Sequence, residues 1–204
     1  MSLMLWGSLL LVCVMGAMSP GPSLAVVLRE TVRNSRSHGV VAGISHALGV
    51  GLWAFLTVHG LALLVAEHQG VYLALSWAGA GYLAYMGIQA WRHAGESRVL
   101  QIGDVPRHSL FSAARAGVLI SLLNPKLALF FMALFSQFVS AEQSVFAQWV
   151  MILTATLVDA AWYTLVALLL SQRRLLEALR RRATLVERAT GALLVGLAVR
   201  VVTL

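Results

Sequence analysis

Six stretches of the chain, residues 3–28, 39–66, 71–91, 111–139, 147–170 and 186–204, are apolar and near the length of a membrane span, and nothing else constrains the fold as strongly. A spanning α-helix needs about 20 mostly apolar residues, because in hydrocarbon every backbone N–H and C=O must be paired within its own segment. The last stretch is the weakest, since its uninterrupted apolar part begins only after Arg188. Hydrophobic residues make up 59% of the chain and charged residues 11%. A soluble protein carries about 45–50% and about 25% respectively. The predicted fold class is an all-α integral membrane protein of six transmembrane helices, with residues 1–204 forming one transmembrane domain.

The formal net charge of +7 would suggest nucleic acid in a soluble protein, but the placement of the arginines argues against it. All positively charged residues except Lys126 are arginines, and they gather in alternate connections. Arg29, Arg33 and Arg36 lie between the first two spans, Arg92, Arg98, Arg107 and Arg115 around the third connection, and Arg173, Arg174, Arg180, Arg181, Arg182 and Arg188 before the last span. The other connections, around Glu67–Gln69 and Ala141–Gln143, carry none. The positive-inside rule makes the arginine-rich side cytoplasmic and puts both termini on the opposite, periplasmic side. Arg200 is the exception, placed to snorkel to the outer interface. Residues 92–110, broken by Gly95, Gly103 and Pro106, read as a polar loop. Residues 172–188 space Leu175, Leu176, Leu179, Leu185 and Val186 among arginines, as an amphipathic helix on an anionic inner leaflet would.

The first stretch lacks a basic leader and stays apolar past Ala17 and Ser19, so it reads as a span and not as a cleaved signal. Cys13 is the only cysteine, which excludes an intramolecular disulfide and a thiolate metal site. No GxSxG or HExxH motif is present, so neither an enzyme nor a metal or other cofactor is expected.

Two spans are interrupted by proline, at Ser19–Pro20–Gly21–Pro22–Ser23 and at Asn124–Pro125–Lys126. Proline lacks an N–H and crowds the carbonyl four residues earlier, which predicts orphan carbonyls near Gly16, Met18 and Ser121. Such groups are costly in hydrocarbon unless they line a cavity. Pro20 and Pro125 lie about half a chain apart, one in the first span and one in the fourth. Because three spans are odd in number, a second triplet enters the membrane in the opposite sense, which predicts an inverted 3+3 repeat with broken helices 1 and 4. Ordinary proline kinks are the plain alternative.

The only lysine, Lys126, sits in the second break, and Asp159 is flanked by Val158 and Ala160 inside the fifth span. An isolated charge at mid-helix costs roughly 2.5–3.5 kcal/mol on insertion scales, so both are expected to face the interior, as a structural ion pair or as a substrate or proton site. His46 is expected to face the bundle, in a packing or a proton-handling role. Trp162 and Tyr163 follow Asp159 by about one turn and are candidates for the same pocket. Gly39, Gly43 and Gly49, with Gly196 in the last span, are expected to let helices approach closely.

At these residues the sequence resembles the lysine exporter and homoserine/threonine resistance (LysE/RhtB) family of amino-acid efflux proteins. The likeness rests on the Ser-Pro-Gly-Pro run at 19–22, on Gly39, Gly43 and Gly49, and on the tract Ala78 to Gly87. Asn124–Pro125–Lys126 with Phe130–Phe131, and Gly191 to Arg200, extend it over nearly the whole chain. It implies proton-driven export of amino acids or close derivatives across a bacterial inner membrane, with amino acid, protons and lipid as partners and a homo-oligomer left open. A zwitterion needs both its charges answered. The half-helix starts after Pro22 and at Asn124 to Lys126 are assigned to the carboxylate, with Lys126 adding a full charge, and Asp159, with the orphan carbonyls near Gly16, Met18 and Ser121, to the ammonium. The substrate-binding candidates are Pro20, Gly21, Pro22, Ser23, Asn124, Pro125, Lys126, Asp159, Trp162 and Tyr163. Asp159 and His46 are the candidates for proton coupling. A channel or a non-transporting membrane scaffold is the alternative.

Overall fold

The computed structural model describes residues 2–94, 109–140, 143–169 and 173–203, without the side chains of 173–181, 183 and 200–203. The described residues form eight helices: α1 (Leu3–Met18), α2 (Pro22–Arg33), α3 (Arg36–Glu67), α4 (Gln69–Arg92), α5 (Leu110–Leu122), α6 (Pro125–Phe135), α7 (Val145–Leu169) and α8 (Arg173–Thr203). Among them α3, α4 and α7 are each long and apolar enough to cross a bilayer. The pairs α1–α2 and α5–α6 pass the same test together, bent by 58° and 55°, which gives up to five spans by length and composition. The described residues are thus all-helical in their regular structure, as in a helical membrane protein.

The breaks have a local cause. Ser19, before Pro20, takes the extended conformation that precedes proline, and its N–H donates to the carbonyls of Met15 and Gly16. Gly21 is the extended N-cap of α2 and Pro22 opens that helix. Asn124 caps α6 by accepting from the Lys126 N–H through Oδ1 at 3.1 Å, and Pro125 opens it. At the first helical position a missing N–H costs nothing, so Pro22 and Pro125 each open a new helix, as the broken-helix reading expected and the plain-kink alternative did not.

Two predicted orphan carbonyls are therefore engaged. Gly16 O accepts from Ser19 N at 3.2 Å, and Ser121 O accepts from the Trp53 indole at 3.1 Å.

The C-terminal part departs from expectation. The amphipathic segment and the last span, read as separate, form one helix of 31 residues. Its first-half side chains, Leu175, Leu176 and Leu179 among them, lie outside the described residues, as do residues 95–108 of the predicted loop and Ala141–Glu142. Between α2 and α3 the connection shrinks to Asn34 and Ser35. Glu30 is buried there, bonded by Arg29 Nη2 at 3.0 Å and Asn34 Nδ2 at 2.7 Å. A buried carboxylate persists only with such partners.

Helix α3 is the hub, packed against α2, α4, α5, α6 and α7, while α4 lies along α8. Small residues set these distances. A Cβ at Gly39 would meet Thr31, at Gly43 it would fall 2.8 Å from Tyr163 Cβ, and at Gly49 it would meet the Ser121 hydroxyl. The expected contact at Gly196 is a correction: nothing lies within 4 Å of a Cβ there. Gly196 is exposed, and Gly191, five residues earlier and on another face of α8, makes the close approach to Gly87 and Trp91.

The apolar interior divides into two clusters. The larger joins Val50 of α3, Phe130 and Phe131 of α6 and Ala155 of α7 with α1, α4 and α8; the smaller joins Leu24 and Val27 of α2, Ala42 of α3 and Tyr163 of α7. Residues four apart share a helix face. Ala42, His46 and Val50 therefore form one line on α3, and Ala155, Asp159 and Tyr163 one line on α7. In both lines the polar residue falls where the two clusters meet.

Candidate functional site

Across that seam runs a buried hydrogen-bonded chain. His46 Nδ1 lies 2.7 Å from Asp159 Oδ2, and His46 Nε2 lies 2.8 Å from Ser23 Oγ. His46 is 1% exposed, Asp159 and Ser23 7% each, so water satisfies little of what these groups need. With Asp159 ionised, the Nδ1–H donates to the carboxylate, and Nε2 is left to accept from the Ser23 hydroxyl. The Tyr163 ring meets the imidazole edge-on, with centroids 4.9 Å apart, and holds its plane.

These side chains line a chamber that offers about 70 Å³ to water centres. A single water needs roughly 10–15 Å³ on that measure, so the chamber admits several waters or a small solute. Its polar wall is built from both breaks: Ser19, Gly21, Pro22 and Ser23 on one side, Asn124 and Lys126 on the other. Cys13, Gly16, Met86, Phe130 and Thr190 complete much of the rest. The two helix starts differ. Asn124 occupies the Lys126 N–H, whereas α2 has no side-chain cap, so its first-turn N–H groups keep the partial positive charge that favours an anion.

Of the predicted site residues, Gly21, Pro22, Ser23, Asn124, Lys126, Asp159, Tyr163 and His46 all meet at this chamber. Pro20, Pro125 and Trp162 do not. Pro20 lines a wider vestibule outside it, and Pro125 is exposed at the start of α6. Trp162, three residues from Asp159, is rotated off the line that Tyr163 continues, and packs beside the smaller apolar cluster.

The close partner of Asp159 is His46, 113 residues away in sequence, in place of the Lys126 pairing considered from sequence. Glu187 was also missed. It lies within the predicted last span, 186–204, just before the uninterrupted apolar part, and it is 9% exposed on α8 and lines the vestibule together with Lys126.

A membrane bundle with two interrupted helices, a chamber at their breaks with room for a small solute and charges of both signs on its wall has the make-up of a solute translocator. The family model described as LysE type translocator matches residues 14–204, and the chain belongs to that family. It is 29% identical to a threonine efflux protein of Salmonella typhi and 28% identical to that of Escherichia coli K12, over 98% of each chain. It is 34% identical to a homoserine/homoserine lactone efflux protein of Salmonella typhimurium, over 75% of this chain and 73% of that one. No solved structure matches.

Proposed function

We propose that the chain is a secondary active exporter of small amino acids, working as a proton antiporter in a bacterial inner membrane, with threonine and homoserine as the first substrates to test. The observation that carries this reading is the Ser23–His46–Asp159 chain facing the same chamber as Lys126. The amino-acid carboxylate docks on Lys126 and the uncapped start of α2, and the ammonium on Asp159. Asp159 has one carboxylate for two suitors, the substrate ammonium and a proton shared with His46. A second positive charge beside the one buried carboxylate is disfavoured, so protonation of His46 expels the ammonium and its arrival expels the proton. The exchange of one for the other is the coupling.

The six-span reading follows the same lines. With α8 as the sixth span, α1–α2, α3 and α4 form one triplet and α5–α6, α7 and α8 the other. The pairings of α3 with α7 and of α4 with α8 are those a two-fold axis in the membrane plane would produce. The vestibule lies beside the end of α4 that carries Arg92, and the positive-inside rule turns that end toward the cytoplasm and both termini toward the periplasm. An exporter loads from that face.

Counterflow tests the class. Proteoliposomes loaded with unlabelled threonine should take up labelled threonine against its gradient, whereas a channel or scaffold would show none. In the same assay Lys126→Gln should raise KM about 10- to 100-fold, since a hydrogen bond to a charged group contributes about 1.5–3 kcal/mol. Wild-type KM would make Lys126 structural.

A further inference from the structure

The chamber has an antechamber. A second cavity of about 500 Å³ adjoins it, and the two share Ser19, Met86 and Lys126 in their walls. The shared residues form a neck, with the one lysine in it. The outer wall of this vestibule is polar in a specific way. Glu187 presents a buried carboxylate from α8, close enough for its charge to act on Lys126. From α4, Gln89 donates its Nε2 to the Tyr85 hydroxyl at 3.1 Å, while its Oε1 is buried with no hydrogen-bond partner. A buried acceptor without a donor is costly, and a donor arriving in the vestibule would relieve it.

We propose that the vestibule is a second binding station for the same zwitterion, with Glu187 and Gln89 Oε1 receiving the ammonium and Lys126 the carboxylate. This deepens the reading above and rests on its assumption that the cargo is a small amino acid. The two stations then have one cation in common and an acid each, Glu187 outside and Asp159 inside. Lysine carries its charge on a flexible four-carbon stem, so it can keep the carboxylate while the ammonium passes from one acid to the other beside Met86. At no point on that path does either end of the substrate lack a counter-charge. A structural Lys126–Glu187 pair would look similar at rest but would bind nothing.

Equilibrium binding of labelled L-threonine to the purified full-length protein separates the two. Because the stations share Lys126, wild type should bind one molecule per chain; Glu187→Gln and Asp159→Asn should each still bind one, through the station that remains, and the double variant none. Gln89→Leu, which leaves every charge in place, should weaken binding about tenfold when added to Asp159→Asn, where only the vestibule is left, and little when added to Glu187→Gln. No binding in Asp159→Asn, with Glu187→Gln and Gln89→Leu at wild-type affinity, would overturn the vestibule station and leave the chamber standing. No binding in Glu187→Gln with binding kept in Asp159→Asn would do the reverse, removing the chamber assignment and supporting the outer one.

Discussion

Asp159→Asn should lower proton-driven amino-acid export roughly a hundredfold or more, while the protein still inserts and folds. Truncating one partner of a buried, hydrogen-bonded charge pair costs about 2–5 kcal/mol of binding or more, and each 1.4 kcal/mol is a factor of ten in affinity. The substrate ammonium loses its counter-ion in a chamber too small to replace it with bulk water. Asparagine is nearly isosteric and keeps an oxygen to accept from His46 Nδ1, 2.7 Å from the present carboxylate, so the seam between the apolar clusters stays closed. The loss should therefore appear in vesicle export and not in the melting temperature. Export at the wild-type rate would remove Asp159 from the mechanism. His46→Gln should behave differently: counterflow persists, because Asp159 still receives the ammonium, but acceleration by an imposed pH gradient disappears. Retained acceleration would reduce His46 to packing.

Local chemistry was legible in the sequence to the extent that it depends on neighbours along the chain. Pro20, Pro22 and Pro125 placed both helix breaks, and Lys126 and Asp159 stood out because charge is rare in apolar runs. The fate of the freed carbonyls was not legible. Whether Ser121 O is orphaned depends on the Trp53 indole, 68 residues away on α3. The partner of Asp159 was hidden for the same reason, since α3 and α7 meet only in three dimensions. Trp162 and Tyr163 both lie about one turn from Asp159, and the difference between three and four residues decides which one faces the chamber. Glu187 escaped because a hydropathy run ignores an acid that a cavity can accommodate.

Gly117→Val should be the most damaging substitution at a residue that touches no substrate. A Cβ at Gly117 would strike the carbonyl oxygen of Ala42, with the Ala42 carbon and Cα close behind. Backbone cannot rotate away as a side-chain tip can, so α5 and α3 must move apart. Overpacking of this kind costs about 1–3 kcal/mol and occasionally more, against a total stability of about 5–15 kcal/mol. The displacement would reach function directly, because Ala42 lies one turn from His46, and farther along the same interface Ser121 packs on Gly49. Gly117→Val should thus yield less folded protein, a lower melting temperature and little export, with Gly117→Ala intermediate. Gly60→Ala and Gly196→Ala, where nothing lies within 4 Å of the added Cβ, are the matched controls and should leave all three unchanged. A wild-type melting temperature for Gly117→Val would mean that α3 and α5 do not meet at this distance in the membrane, and the hydrogen-bonded chain from Ser23 to Asp159, which hangs on the position of α3, would have to be redrawn.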